Sequence, residues 1–295
     1  MVTTYALPEG FTDSDMVTFG SAFLMEGVLG FFLNAISVVS FLAVKEMRTP
    51  SNFFIFNLAL ADVSLNVNGI IAGYASFLRH WPFGVSGCQN HAFQGMVSAL
   101  ASINFIGAVA WDRYHQYCTK QKLFWSSSMT MSGIVWVLSI FWAFLPLAGW
   151  GEYGFEPLGT SCTLDYSKGD RNYTTYMLTL TFFYLIIPAL TMLTSYQSIQ
   201  KHFKKTRKYK LNTAWPLRVM LVCWGPYVLL CMYASIDNAL AISPKFRMVL
   251  PVLAKTTPIF HSLLYAFGTE SYRAGIWQFL TGKKMALPPP EKSKK

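Results

Sequence analysis

The chain has 295 residues, of which 53% are hydrophobic and 13% charged, and its mean hydropathy is +0.34. That balance excludes an ordinary soluble domain and points to a protein that crosses a membrane several times. The formal net charge of +10 raises nucleic acid as a partner, but the basic residues are sorted by membrane side, which makes the charge topological.

Seven apolar runs are long enough to cross a bilayer: about 17–42, 51–78, 88–110, 129–150, 174–198, 211–234 and 246–267. The segments after the first, third, fifth and last runs hold 2, 3, 6 and 6 Lys/Arg. The opposite segments hold only Arg79, Lys168, Arg171, Lys245 and Arg247. This asymmetry predicts an outer or lumenal N-terminus and a cytosolic C-terminus, with plasma and intracellular membranes equally open. Met1 to Met16 contains no Lys or Arg, so no signal peptide with a basic start is expected and the first span directs insertion. Residues 1–16 are read as the outer N-terminus and 17–267 as an all-α bundle of seven transmembrane helices. Residues 268–281 are read as a short amphipathic helix on the membrane surface, with Ile276, Trp277 and Leu280 on one face. Residues 282–295 are expected to be a disordered basic tail.

Of five cysteines, Cys118, Cys223 and Cys231 sit in or beside spans and read as small buried apolar residues. Cys88 and Cys162 both face the oxidising side, where a bond between them would pin the long outer loop over the bundle. No Cys/His spacing suits a metal. Asn172-Tyr173-Thr174 is a glycosylation sequon in that loop.

Lys255 lies near the middle of the seventh run. An ammonium at that depth is costly, too far from either end to snorkel, and usually functional. Its neutral form is a nucleophile toward aldehydes and gives a Schiff base.

Asn34, Asn57-Leu58-Ala59-Leu60-Ala61-Asp62, Asp112-Arg113-Tyr114, Trp136, Pro188 with Tyr196, and Cys223-Trp224-Gly225-Pro226 together resemble the rhodopsin-like receptors. A lysine in the middle of the seventh span narrows the resemblance to opsins. Phe93-Gln94-Gly95, Trp150-Gly151-Glu152-Tyr153 and the run from Glu156 to Asn172 resemble the RGR group, the retinal G-protein-coupled receptor opsins.

The resemblance implies retinal, all-trans in the dark, attached covalently through Lys255. It implies a counterion at His91 or Glu156; Glu156 is expected to be the anion and His91 a neutral or titrating neighbour. Glu26, in the outer half of the first span, is a further candidate. Trp224, Tyr227, Tyr184, Tyr166, Gly95, Ala99 and Met220 would line the pocket, though each aromatic taken alone reads as helix packing. Asp62 and Asn34 would belong to an interior polar network. The expected function is a retinal photoisomerase that turns all-trans-retinal into the 11-cis form. A light-activated G-protein-coupled receptor and a non-catalytic retinal-binding protein are the alternatives. Membrane lipid and retinoid-handling proteins are the implied partners. Asp112, Arg113 and Tyr265 match the G-protein switch. Two departures weigh against coupling: His261-Ser262 stands where the family has Asn-Pro, and Thr206 stands where many receptors have an acid.

Overall fold

The computed structural model describes residues 6–167, 169–205 and 215–285. Among the described residues, six helices are long and apolar enough to cross a membrane. They begin with α1 (Asp13–Ala43), α2 (Pro50–Leu78), α3 (Gly84–Tyr114, continued by a π turn to Thr119) and α4 (Trp125–Phe144). The fifth crossing is α5 (Arg171–Thr181), a π turn (Phe182–Ile186) and α6 (Ile187–Lys205); the sixth is α7 (Trp215–Tyr233). Thr206 and the 286–295 part of the tail lie outside the described residues.

Local chemistry sets several of these ends. Thr12 and Asp15 form a reciprocal capping box at the start of α1. Thr49 caps α2 ahead of Pro50, whose missing N–H costs nothing at a first helical position. The fourth crossing ends earlier than its apolar run: the chain turns through Pro146 and reaches Trp150 outside the helix. α3 has the largest buried share of the crossing helices and α4 the smallest, so α3 runs through the middle and α4 along the edge. Outward apolar side chains such as Phe32, Val137, Val222 and Leu229 suit contact with acyl chains.

The seventh run differs most from the expected single helix. It consists of α8 (Pro244–Lys255), α9 (Thr257–His261) and a π turn (Ser262–Phe267). Pro258 has no N–H to give the carbonyl of Ala254. The Thr257 hydroxyl donates to that carbonyl instead, and the Thr256 hydroxyl donates to the Leu253 carbonyl at 2.7 Å. The break therefore falls directly after Lys255 without leaving those buried acceptors empty.

Two short strands, β1 (Tyr153–Phe155) and β2 (Cys162–Leu164), pair antiparallel with Phe155 opposite Cys162. α10 (Glu270–Thr281) follows the bundle. Its inner face is Tyr272 and Ile276, both buried, with the Tyr272 hydroxyl donating to the Ser37 carbonyl at 3.2 Å. Trp277 and Leu280 are exposed. Ile276 therefore faces protein while its two expected companions turn outward, where a membrane surface would lie.

Candidate functional site

A cavity of about 940 Å³, counted to its mouth, opens among the helices. Its walls come from every crossing except α1 and α4, and its roof from β2 and the turn between the strands. Pro188 at the start of α6 cannot donate to the carbonyl of Tyr184, and the preceding turn widens to a π turn that carries Tyr184 in the wall. Trp224 and Tyr227 flank Pro226 in α7 and face the same space.

Lys255 is half-buried and is the lysine in the lining. Its Nζ lies 4.8 Å from the ring centroid of Phe23 on α1, a cation–π contact invisible in the sequence. Glu156 reaches the cavity from the turn after β1 and is buried. Its carboxylate accepts from the Ser161 hydroxyl, and its backbone N–H donates to the Ser161 carbonyl at 2.9 Å. The roof is anchored by the Cys88–Cys162 disulfide and by contact between the Thr163 and Tyr227 hydroxyls at 2.9 Å. The Tyr153 hydroxyl donates to the Ala143 carbonyl at 2.7 Å, tying the hairpin to α4. Burial pushes the Tyr153 hydroxyl well above its ordinary pKa, so this donor stays protonated.

Of the other expected pocket residues, Gly95, Ala99, Tyr184, Trp224 and Tyr227 line the cavity. At Gly95 a Cβ would come within 3.0 Å of the Asn68 amide, which leaves little room for a larger residue. Met220 and Tyr166 lie outside the lining: Met220 packs in the core that contains Trp224 and Ala254, and the Tyr166 ring meets the Arg247 guanidinium at 6.0 Å. His91 also lies behind the wall. It is buried, its ring stands 4.9 Å from that of Trp81, and Asn68 donates to its carbonyl at 2.8 Å.

Asn68 and Thr163 were not singled out in the sequence, although a polar side chain such as Asn68 inside an apolar span is itself a signal. Asn172 is exposed at the start of α5, where its side-chain amide donates to the Gly149 carbonyl at 2.9 Å.

A second polar cluster lies deeper in the bundle. His261 Nδ1 is 3.0 Å from Asp62 Oδ2, and Ser102 donates to Asp62 Oδ1 at 2.7 Å. Asn34 donates to the Pro258 carbonyl at 3.2 Å, joining α1 to α9. The departure at His261 thus supplies a partner for a fully buried carboxylate. His261→Ala is expected to destabilise the protein by roughly 3 kcal/mol, because it removes the ring nitrogen from one oxygen of that buried carboxylate and leaves Ser102 on the other. The thermal midpoint of the purified variant checks this, and an unchanged midpoint would show that Asp62 relies on other groups.

Towards the cytosolic end as assigned by charge, Asp112 accepts from Ser51 at 3.1 Å and from Gln116 at 2.7 Å. Arg113 donates to Thr269 at 2.7 Å.

The family model described as 7 transmembrane receptor (rhodopsin family) matches residues 33–265. The chain belongs to the rhodopsin family of seven-transmembrane receptors. This receptor is 45% identical over 284 residues to the human RPE-retinal G protein-coupled receptor, covering 96% of this chain and 98% of the relative. The bovine protein of the same name is 44% identical with the same coverage. The human visual pigment-like receptor peropsin is 29% identical, over 86% of this receptor and 81% of that chain. The crystal structure of squid rhodopsin has the same fold, with a TM-score of 0.82 at 23% identity, covering 94% of the receptor and 90% of that chain.

Proposed function

We propose that this opsin-type membrane receptor takes all-trans-retinal onto Lys255 and, under light, converts it to the 11-cis form, acting as a retinal photoisomerase. The observation that carries the reading is one amine reaching an apolar, aromatic-walled cavity in a seven-helix bundle. The names of its relatives, RPE-retinal G protein-coupled receptor, agree with it.

The walls suit an elongated apolar aldehyde. The polyene supplies the photochemistry when bound. Lys255 supplies the attachment, its nitrogen replacing the aldehyde oxygen, which leaves as water. Trp224, Tyr227 and Tyr184 limit the shapes the bound chain can take, and the pinned roof limits water. Glu156 offers negative charge from the roof side. Orientation with the N-terminus outside, and a glycan on Asn172, belong to the same reading.

The test is to load the purified protein with all-trans-retinal, illuminate it and analyse the extracted isomers. Mostly 11-cis product is expected. Nucleotide exchange on several G-protein families, in light and dark, is expected to stay near background, because His261-Ser262 and Thr206 alter two parts of the switch. The opposite isomer conversion together with robust light-dependent exchange would make the protein a signalling receptor instead.

A further inference from the structure

Lys255 lines the cavity, yet its Nζ sits over the ring of Phe23 on α1. Glu26 lies three residues beyond Phe23, about one turn along and on the same face. It is only 7% exposed, and its Oε1 has no hydrogen-bond partner. One turn back, the Phe23 ring holds the Lys255 nitrogen, which brings that nitrogen to the same stretch of α1. A carboxylate buried without partners is costly, and so is a buried ammonium; each becomes tolerable when it faces the other.

The other groups around the lysine are otherwise engaged. Glu156 accepts from Ser161 in the roof. Asp62 of α2 is bound by His261 and Ser102. His91 of α3 is buried behind the wall, and an imidazole can only repel a cation or stay neutral. Tyr184 and Tyr227 bring hydroxyls, which carry no charge in the neutral range. Among the described residues, Glu26 is the buried carboxylate with an unpartnered oxygen, one turn from the ring that holds the lysine.

We propose that Glu26 is the charge partner of the Lys255 nitrogen, holding it from the α1 side while Glu156 serves the cavity from the roof. The inference deepens the retinal reading and takes from it that Lys255 is the reacting amine. Its consequence holds before any ligand enters: Glu26 favours the protonated lysine, and removing its charge leaves more of the amine free to react.

Limited reductive methylation of the full-length, retinal-free protein at pH 7, with formaldehyde and cyanoborohydride, reads that free amine. The rate is followed by mass on the peptide containing Lys255. Glu26→Gln should raise the rate roughly tenfold, the size of effect a close opposite charge produces. Glu156→Gln should change it less, and Glu26→Asp, which keeps the charge, should stay near wild type. Equal rates in wild type, Glu26→Gln and Glu26→Asp would overturn the pairing, as would a larger effect from Glu156→Gln. Should Glu26→Gln fail to fold, a wild-type rate in Glu26→Asp alongside a raised rate in Glu26→Ala decides the same point. Absorbance after loading with all-trans-retinal is read separately. A wild type with no retinal-dependent band would sink the retinal reading, while the methylation rates still decide whether Glu26 and Lys255 are partners.

Discussion

Lys255→Ala is expected to abolish covalent capture of retinal. Borohydride reduction of the loaded wild type should leave a retinyl group on the peptide containing Lys255, and the variant should leave none. The effect is all-or-none because the attachment needs an amine at the cavity, and Lys255 is the lysine in the lining. The loop lysines that survive the mutation, such as Lys45 and Lys245, cannot reach that depth. The cavity walls remain, so the variant should still hold retinal loosely and without a covalent band. Mass analysis of the reduced peptides decides the matter, and retinyl label on another lysine of the variant would move the attachment site.

The second large effect is expected from the roof. Cys88 and Cys162 are bonded across a sequence separation of 74, and Cys118, Cys223 and Cys231 are free. Closing so long a loop contributes roughly 4 kcal/mol in the chain-entropy account. Replacing both cysteines by alanine should remove about that much stability, seen as a lower thermal midpoint. It should also speed the loss of retinal, because β2 and the turn carrying Glu156 are tied to α3 through this bond. Peptide mapping without reductant checks the connectivity, and the rate of retinal release with and without the bond checks the roof. A double variant as stable and as retentive as wild type would show that the hydrogen bonds from Tyr153 and Thr163 hold the hairpin by themselves.

Hydropathy and charge are local properties, and their direct consequences were legible in the chain. The number of crossings and the pairing of Cys88 with Cys162 belong to this class, as does the short helix α10 after the bundle. Motif order made the rhodopsin family legible as well. Which face of each helix turns inward was not legible, because a spanning helix is apolar all round and its rotation leaves little trace in the pattern. So the sequence could not say that His91 packs behind the wall against Trp81, or that Met220 and Tyr166 serve the core and not the cavity. Nor could it say that His261, which reads as a lost motif, meets Asp62 at 3.0 Å. The seventh crossing depended on one backbone detail. Pro258 withdraws a donor, Thr256 and Thr257 take up carbonyls of the last turn, and α8 stops at the lysine. That break and the packing of α1 bring Phe23 to Lys255 across more than two hundred residues of chain. Contacts of that kind are set by helix rotation and by where a helix ends, and only the folded bundle determines both.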